Sequence, residues 1–197
     1  MRPDPNREMM RQVALQLGDL TEQLVFVGGV TAGLLITDPG APTVRPTQDV
    51  DVIAVIESHT DYYRLSELLR QRGFSEDRSE GAPMCRWISG GWQLDVMPTD
   101  ESILGFSNRW YALAASTAET MELDGNIKIK VITAPCFIAT KLEAFHGRGQ
   151  GDYLGSHDLE DIIAVIEGRP EILAECAAAS ADLQNYLEVE LVKLMKN

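Results

Sequence analysis

TQDVDVIAVI, residues 47–56, is a short apolar run with two carboxylates near its start. Its length and its β-branched residues predict a β-strand. The period of two of a strand places Asp49, Asp51 and Ile53 on one face. Two like charges side by side in a partly buried strand cost free energy unless a cation offsets them. Mg²⁺ is the usual cation of this kind, because it binds one or two carboxylates together with substrate phosphates.

The composition is that of an acidic globular domain. The chain has 197 residues, 45% of them apolar, and a formal net charge of −13. This length is enough for one domain with a sizeable core. The negative charge argues against general binding of duplex DNA, which needs a broad basic face. It leaves open a local phosphate-binding surface among the cations in the middle of the chain: Arg45, Arg86, Arg109, Lys128, Lys130, Lys141 and Arg148.

The cysteines predict a reducing compartment. Cys85, Cys136 and Cys176 are odd in number and widely spaced, which is typical of reduced and mostly buried thiols. The first residues lack the apolar stretch of a signal peptide. No apolar run approaches the roughly 18 residues of a membrane helix. We therefore expect a cytoplasmic protein with no membrane partner.

A second motif precedes the acidic strand. Leu24–Val27 predicts a short strand, and Gly28-Gly29 leads from it into an apolar segment, 30–36, that predicts a short buried helix. Such an arrangement presents backbone N–H groups and the positive end of a helix to a phosphate. The alternative is a tight turn in which glycine supplies a positive φ.

The loop that joins the two motifs, residues 37–48, contains too much Pro and Gly for regular structure. Arg45 and Thr47 come just before Asp49 in this loop. Both side chains could therefore reach a phosphate that is bound beside the acidic strand.

Two hairpins are predicted downstream. Residues 84–97 turn at Ser89-Gly90-Gly91, and residues 121–132 turn at Asp124-Gly125-Asn126. The first hairpin carries Asp95 among apolar neighbours in its second strand. The apolar neighbours of Asp95 argue against the alternative of an ordinary carboxylate at a strand edge.

Helical spacing of apolar residues predicts helices at 6–18, at 61–72 and through the last third of the chain. One of them runs from Thr133 to about Phe145 and carries Lys141 in its middle. The Lys141 ammonium would either bind phosphate or snorkel out of an apolar helix face.

The following helix is predicted to begin at Ser156, a favourable N-cap residue. Its predicted buried face consists of Leu159, Ile162, Ile163 and Ile166. Asp158 in the first turn is favourable for the helix dipole alone, so a functional role and a structural one are both open. A structural or solvated role suits Asp161 better.

Two further segments have alternative interpretations. Arg109 lies among Phe106, Trp110 and Tyr111, so it would either stack on an aromatic ring or contact a nucleotide base. The glycine-rich segment 147–155 follows a helix and not a strand, which excludes a dinucleotide-binding fingerprint and predicts a flexible loop.

In their order along the chain, these motifs resemble the DNA polymerase beta-type nucleotidyltransferase superfamily. The matching stretches are Val27-Gly28-Gly29, then Asp49-Val50-Asp51-Val52, and later Leu94-Asp95-Val96. The spacer between Gly29 and Asp49 is longer than the commonest form. The resemblance implies an α+β (α/β) nucleotidyltransferase fold, in which helices flank a small mixed β-sheet and a helical C-terminal part follows it. Residues 1–132 would form the core with its N-terminal helix, and residues 133–197 would complete the site in one compact unit.

The second half of the chain resembles the AbiEii-like (MenT-like) toxin branch of this superfamily. The resemblance rests on ATKLEA at 139–144, HDLEDI at 157–162 and the lead-in RPTQD at 45–49. Ser156-His157 stands where a basic residue is often found before the HDLEDI stretch.

The resemblance implies transfer of NMP from an NTP such as ATP to an acceptor hydroxyl. Asp49, Asp51 and Asp95 would bind Mg²⁺, with Mn²⁺ as the alternative, in a two-metal site. The phosphate contacts would be Gly28, Gly29, Arg45, Thr47 and Lys141. Asp158 and, less surely, Asp161 would orient Lys141 or the acceptor.

Three functions compete at this point. The resemblance suggests a toxin-like enzyme that modifies RNA, such as a tRNA 3′ end, with an antitoxin as partner. The acidic composition suits a small-molecule enzyme of the aminoglycoside-modifying kind, because cationic acceptors favour acidic sites. The third candidate is an inactive member of the fold that binds a nucleotide or a protein, although the complete set of carboxylates argues against it.

Overall fold

The predicted acidic strand is strand β2, Asp49–Ala54, in the computed structural model, which describes residues 4–123, 127–149 and 151–196. Within these residues it belongs to a seven-stranded mixed sheet. The other strands are β1 Leu24–Val27, β3 Ser75–Glu76, β4 Arg86–Ser89, β5 Trp92–Pro98, β6 Glu119–Leu123 and β7 Ile127–Val131. Across the sheet their order is β3-β4-β5-β2-β1-β7-β6.

Helices cover the sheet and make up the last third of the chain. They are α1 Arg7–Leu17, α2 Ala32–Leu35, α3 His59–Gln71, α4 Glu101–Leu104, α5 Tyr111–Ser116, α6 Ala134–Arg148, α7 His157–Gly168, α8 Ile172–Ala178 and α9 Ala181–Leu194. Local chemistry explains two of the starts, because Ser58 accepts a hydrogen bond from Asp61 N at α3 and Ser156 accepts one from Leu159 N at α7. The N-cap role predicted for Ser156 is therefore confirmed.

The pairing of β2 decides which side chains meet at its start. It runs parallel to β5, with Asp51 opposite Asp95, and antiparallel to β1, with Val27 opposite Asp51. β4 runs antiparallel to β5, with Arg86 opposite Asp95. Residues that face each other across neighbouring strands point to the same side of a sheet. Arg86, Asp95 and Asp51 therefore form one row of charged side chains on one face.

One hydrophobic core extends from the sheet into the C-terminal helices. Val52 on β2 and Phe137 and Leu142 on α6 are fully buried members of the same cluster. Helix α6 in turn packs against α7, α8 and α9. The core is thus continuous across the boundary that the sequence suggests, and the division into residues 1–132 and 133–197 stays a prediction.

The structure confirms the mixed α/β fold and both hairpins. The turn residues 124–126 lie outside the described residues. The sequence pattern does not predict β3, which pairs with β4. Helix α6 also continues beyond its expected end into the segment that was expected to be a loop. None of the described helices is long and apolar enough to cross a membrane.

The predicted buried face of α7 is half wrong. Leu159 and Ile162 are buried, whereas Ile163 and Ile166 are 55% and 38% exposed. The side of the helix that faces the interior instead carries Asp158, Asp161 and Val165. Two carboxylates therefore lie on the buried side of α7, where the apolar spacing predicts Ile163 and Ile166.

Candidate active site

Three carboxylates meet where β2 and β5 run side by side. Asp49 and Asp51 lie on β2 and Asp95 lies on β5, and ligand oxygens of the three are within 4.8 Å of one another. We call these residues the acidic triad. Asp95 is buried, whereas Asp49 and Asp51 are only partly covered, so the group is open to solvent on one side. Asp95 therefore lies beside the carboxylates of β2 and is not an isolated carboxylate at a strand edge, and its role as a metal ligand stays a prediction.

Gly28 allows the chain to pass beside this triad. Its φ of 71° and ψ of −174° lie in a region that only glycine adopts without strain. A Cβ at this position would overlap the Asp51 carboxylate. Glycine is therefore required here for backbone conformation and for space. The 3₁₀ segment Gly29–Thr31 begins directly after it, as the strand–glycine–helix pattern predicts.

Arg86, which the sequence placed only among the cations of a possible phosphate-binding surface, contacts the carboxylates of this site. Its Nε and Nη2 donate to Asp95 Oδ1 and Oδ2, both at 2.8 Å, and Nη2 also donates to Asp49 Oδ2 at 2.8 Å. The hydrogen bonds to Asp95 raise the pKa of Arg86 above its usual value. A signal for this contact does exist in the sequence. A two-residue turn at Gly90-Gly91 sets the hairpin register that brings Arg86 opposite Asp95.

A second group of charged side chains lies next to Gly29. Lys141 Nζ is 3.0 Å from Asp158 Oδ1 and 2.7 Å from Asp161 Oδ2. Arg45 forms a two-bond fork with Asp161, with Nε and Nη2 each 2.9 Å from a carboxylate oxygen. We call these four residues the buried ion-pair cluster. A Cβ on Gly29 would come within 2.8 Å of Arg45 Nη2, so this glycine permits the close approach of the cluster.

The cluster revises the expected positions of two residues. Asp161 is 2% exposed, so the solvated alternative for its side chain is wrong. Lys141 does not snorkel to the surface, because its ammonium lies inside the protein between two carboxylates. The predicted contact between Lys141 and Asp158 is present. For the predicted phosphate contact, the Arg45 guanidinium would have to bind the phosphate and Asp161 at the same time.

Asn6 fixes the loop that leads into β2. This side chain is fully buried, donates to Arg45 O at 3.0 Å and accepts from Thr47 N at 2.8 Å. Thr47 Oγ1 lies 3.3 Å from Asp49 O. The loop is therefore held by its backbone to α1. Sequence reasoning missed Asn6, since a single asparagine in front of a helix carries no signal for a partner 39 residues away.

The two clusters border a small pocket. Its walls include Gly28, Asp51, Tyr111, Lys141 and Asp158, and its volume is about 90 Å³. Ligand pockets usually have roughly 300–1,000 Å³, so only part of a nucleotide could enter it. A larger cavity of about 390 Å³ lies elsewhere, between β7, α6 and α9, and its walls are mainly apolar. Chemistry, not size, therefore identifies the site.

Neighbouring residues bear on two other expectations. The Arg109 guanidinium lies 4.8 Å from the Trp110 ring centre and 5.0 Å from that of Tyr186, so the predicted aromatic stacking is present. Cys85 and Cys136 are buried and Cys176 is partly buried, all with free thiols. Burial, with a contribution from Asp95, raises the pKa of Cys85 to about 12. The thiol next to the triad is therefore neutral near pH 7.

The triad fits a hard divalent cation. Its donors are carboxylate oxygens, the ligands that Mg²⁺ and Mn²⁺ prefer. Arg86 pairs with two of its carboxylates, Asp49 and Asp95, and so offsets part of its negative charge. A surplus of negative charge in a partly buried site is offset when a cation binds there.

The sheet, the glycines after β1 and the acidic strand together define a nucleotidyltransferase-like fold. The chain has this fold, as three solved structures show. An antigenic nucleotidyltransferase-like protein from Paracoccidioides brasiliensis has a TM-score of 0.60 at 22% identity, over 98% of this chain and 91% of that chain. No family model matches the chain, and no curated protein matches it significantly.

The other two structures are of the antibiotic-resistance factor ANT(2'')-Ia. Its solution structure has a TM-score of 0.53 at 11% identity, over 96% of this chain and 90% of that chain. Its crystal structure in complex with adenylyl-2''-tobramycin has a TM-score of 0.52 at 11% identity, over 95% and 98%. At these identities the likeness is one of fold.

Proposed function

We propose that the protein is a divalent-cation-dependent nucleotidyltransferase that moves NMP from an NTP to an acceptor hydroxyl. The observation that carries this proposal is the meeting of Asp49, Asp51 and Asp95 within 4.8 Å, directly beside the positive-φ Gly28. Transfer of this kind depends on positioning and on neutralising phosphate charge. It requires no nucleophile from the protein.

The triad residues would hold the cation. Asp49 and Asp51 would bind Mg²⁺ or Mn²⁺, and Asp95 would complete the site on the side of the acceptor hydroxyl. When bound, the cations supply charge neutralisation on the triphosphate and activation of the attacking oxygen. Asp95 is suited to its place, because the fork from Arg86 fixes the orientation of its carboxylate.

The glycines and Lys141 would receive the phosphates. Backbone N–H groups at Gly28 and Gly29 lie at the start of a helical segment, where anions are favoured. Lys141 borders the same pocket, and Asp158 holds its ammonium in position. Arg45 and Thr47 would act from the loop before β2. Arg45 would do so while it remains paired with Asp161.

The acceptor has two candidates. RNA, such as a tRNA 3′ end, with an antitoxin as partner, is the candidate that the toxin-branch resemblance favours. A small cationic acceptor is favoured by the net charge of −13 and by the adenylylated tobramycin bound to ANT(2'')-Ia. Among the described cations near the site, Arg45, Arg86 and Lys141 are all held in ion pairs. This weakens the attraction for an RNA backbone, so the small cationic acceptor is better supported.

A transfer assay tests the proposal. The protein is incubated with each labelled NTP and Mg²⁺, together with kanamycin-like aminocyclitols in one series and total RNA in the other. Labelled aminocyclitol with RNA untouched supports the small acceptor, and a defined labelled RNA band supports the RNA acceptor. If neither series is labelled and calorimetry detects no NTP binding, the protein is the inactive member of the fold and the proposal is wrong.

A growth test addresses the toxin interpretation separately. The wild-type protein and an Asp51→Asn variant are expressed in a bacterial host without any neighbouring gene. If the protein is a toxin-like RNA-modifying enzyme, expression of the wild type stops growth and expression of the variant does not. If both strains grow equally well while active protein is present, the protein is not a toxin in this bacterial host.

A further inference from the structure

Arg86 contacts two members of the acidic triad at once. It lies on β4 opposite Asp95, and its Nε and Nη2 both donate to that carboxylate. The same Nη2 also donates to Asp49 Oδ2 at 2.8 Å. The Arg86 side chain is 19% exposed, so these hydrogen bonds lie largely outside solvent. Arg86 is therefore built into the site.

The charge of Arg86 cannot be removed by titration. A guanidinium stays protonated at every pH at which proteins are folded. With Arg86 in place, the formal charge of the triad and its partner is −2 instead of −3. This positive charge lowers the repulsion among the three carboxylates. It also means that Arg86 can leave a carboxylate only by moving.

The two contacts of Arg86 differ in strength. Its contact with Asp95 is a fork of two parallel hydrogen bonds, the geometry in which arginine binds carboxylate best. Its contact with Asp49 is a single hydrogen bond from a nitrogen that Asp95 already uses. A second cation at Asp49 would be repelled by this guanidinium at close range. The Asp49 contact is thus the one that a metal would replace.

We propose that Arg86 is an internal counter-cation of the acidic triad, which a divalent cation must displace from Asp49 in order to bind. Arg86 keeps its fork to Asp95 in both states and so acts as a positioning residue. It thereby sets the concentration of cation at which the site fills. The inference rests on the proposed function in one respect, namely that the triad binds a divalent cation.

Calorimetric titration with Mn²⁺ tests this inference without any assay of transfer. Loss of the competing charge in Arg86→Gln should tighten Mn²⁺ binding by about 10-fold. Arg86→Lys keeps the charge and should stay within about 3-fold of wild type. Arg78→Gln is the matched control, because the Arg78 side chain is 85% exposed and pairs with Glu76 only at the surface. Its Mn²⁺ affinity should not change.

The outcomes separate the inference from the proposed function. Unchanged or weaker Mn²⁺ binding by Arg86→Gln, when wild type binds and Asp51→Asn does not, overturns the inference alone. A folded wild-type protein that binds no Mn²⁺ overturns both the inference and the metal dependence of the proposed function. Tighter binding that Asp51→Asn abolishes in the Arg86→Gln background supports both.

NMR on the unmodified protein gives a second measurement, because Arg86→Gln removes the cation that pairs with Asp49 and Asp95 and can lower stability. The ¹⁵Nε signal of Arg86 is assigned by its loss in Arg86→Lys. Mg²⁺ should shift this signal in wild type and leave it in place in Asp51→Asn. A signal that stays fixed while Mg²⁺ shifts the backbone signals of Asp49 and Asp51 overturns the inference.

Discussion

The acidic triad and the buried ion-pair cluster lie on either side of Gly28-Gly29, and they differ in charge balance. The triad has three carboxylates, and Arg86 pairs with two of them, Asp49 and Asp95. The buried cluster has two carboxylates, Asp158 and Asp161, and the two cations Arg45 and Lys141. One group therefore keeps a surplus of negative charge, and the other is formally neutral.

The difference in balance corresponds to a difference in burial. Asp161 is 2% exposed, and ions so deeply buried are tolerated only when they are paired and hydrogen-bonded. The side chain of Asp49 is 33% exposed, and water can reach its carboxylate. A balanced, buried group is suited to holding loops and helices together. An unbalanced, open group is suited to binding a cation from solution.

The largest effect is expected for a neutral substitution in the triad. Asp51→Asn should lower transfer activity by about 10³-fold, because it removes an oxygen ligand and part of the charge that holds the cation. Its thermal unfolding midpoint should stay within a few degrees of wild type, since like-charge repulsion falls at the same time. Initial rates with labelled NTP and a thermal melt provide the two measurements. Glu80→Gln, at an exposed position, is the control, and an Asp51→Asn variant with normal activity would contradict the metal assignment.

The opposite pattern is expected for the balanced cluster. Asp161→Asn should destabilise the fold by about 3 kcal/mol, because it leaves two cations with reduced compensation in the interior. Urea unfolding at pH 7 measures this loss. Glu160→Gln is a matched control on the same helix, because Glu160 is 57% exposed and its ion pair with His157 lies at the surface. It should change stability by no more than about 0.5 kcal/mol. Equal effects of the two substitutions would break the distinction between the clusters.

Gly28 tests whether the space between the clusters matters as much as their charges. Gly28→Ala should cost about 1–3 kcal/mol of stability from backbone strain. It should also lower activity by about 10²-fold, because the new Cβ displaces the Asp51 carboxylate. Gly91→Ala is the control, since Gly91 also has a positive φ of 88° but has nothing within 4 Å of its Cβ position. If backbone strain were the whole effect, both Gly28→Ala and Gly91→Ala would lose stability and neither would lose activity.

Local pattern was enough to predict the two carboxylates on β2 and most of the fold. The alternation at Asp49 and Asp51 is a property of one strand, and the two hairpins follow from glycine turns. The row that brings Asp95 beside Asp51 depends on a parallel pairing across 44 positions of the chain, which no local signal encodes. That part of the site came from the resemblance to a family.

The buried ion-pair cluster was harder to predict for a physical reason. Amphipathic spacing marks apolar faces, and it assigns an aspartate to solvent unless a partner is known. Asp161 has its partners 20 and 116 positions away in the chain, at Lys141 and Arg45. Because these distant cations pair with Asp161, the polar side of α7 is buried. Ile163 and Ile166 lie on the exposed side of the helix.

The smallest effect is expected for a cation outside both clusters. Arg109 is 60% exposed, stacks on Trp110 and Tyr186, and has Nη1 3.8 Å from Glu143 Oε1. Arg109→Ala should therefore cost about 1 kcal/mol or less in urea unfolding. Arg64→Ala, at a 76% exposed position on α3, controls for the loss of one surface charge.

The KM for NTP separates the two roles of Arg109 that the sequence left open. If stacking on the protein's own rings is its whole role, KM changes no more in Arg109→Ala than in Arg64→Ala. A rise of about 5-fold or more in KM with little change in kcat would mean that Arg109 also contacts the nucleotide, because a lost ground-state contact weakens binding without slowing the chemical step. In that case the substrate extends from the small pocket past Tyr111 to Arg109. The functional surface would then include a cation that belongs to neither charged cluster.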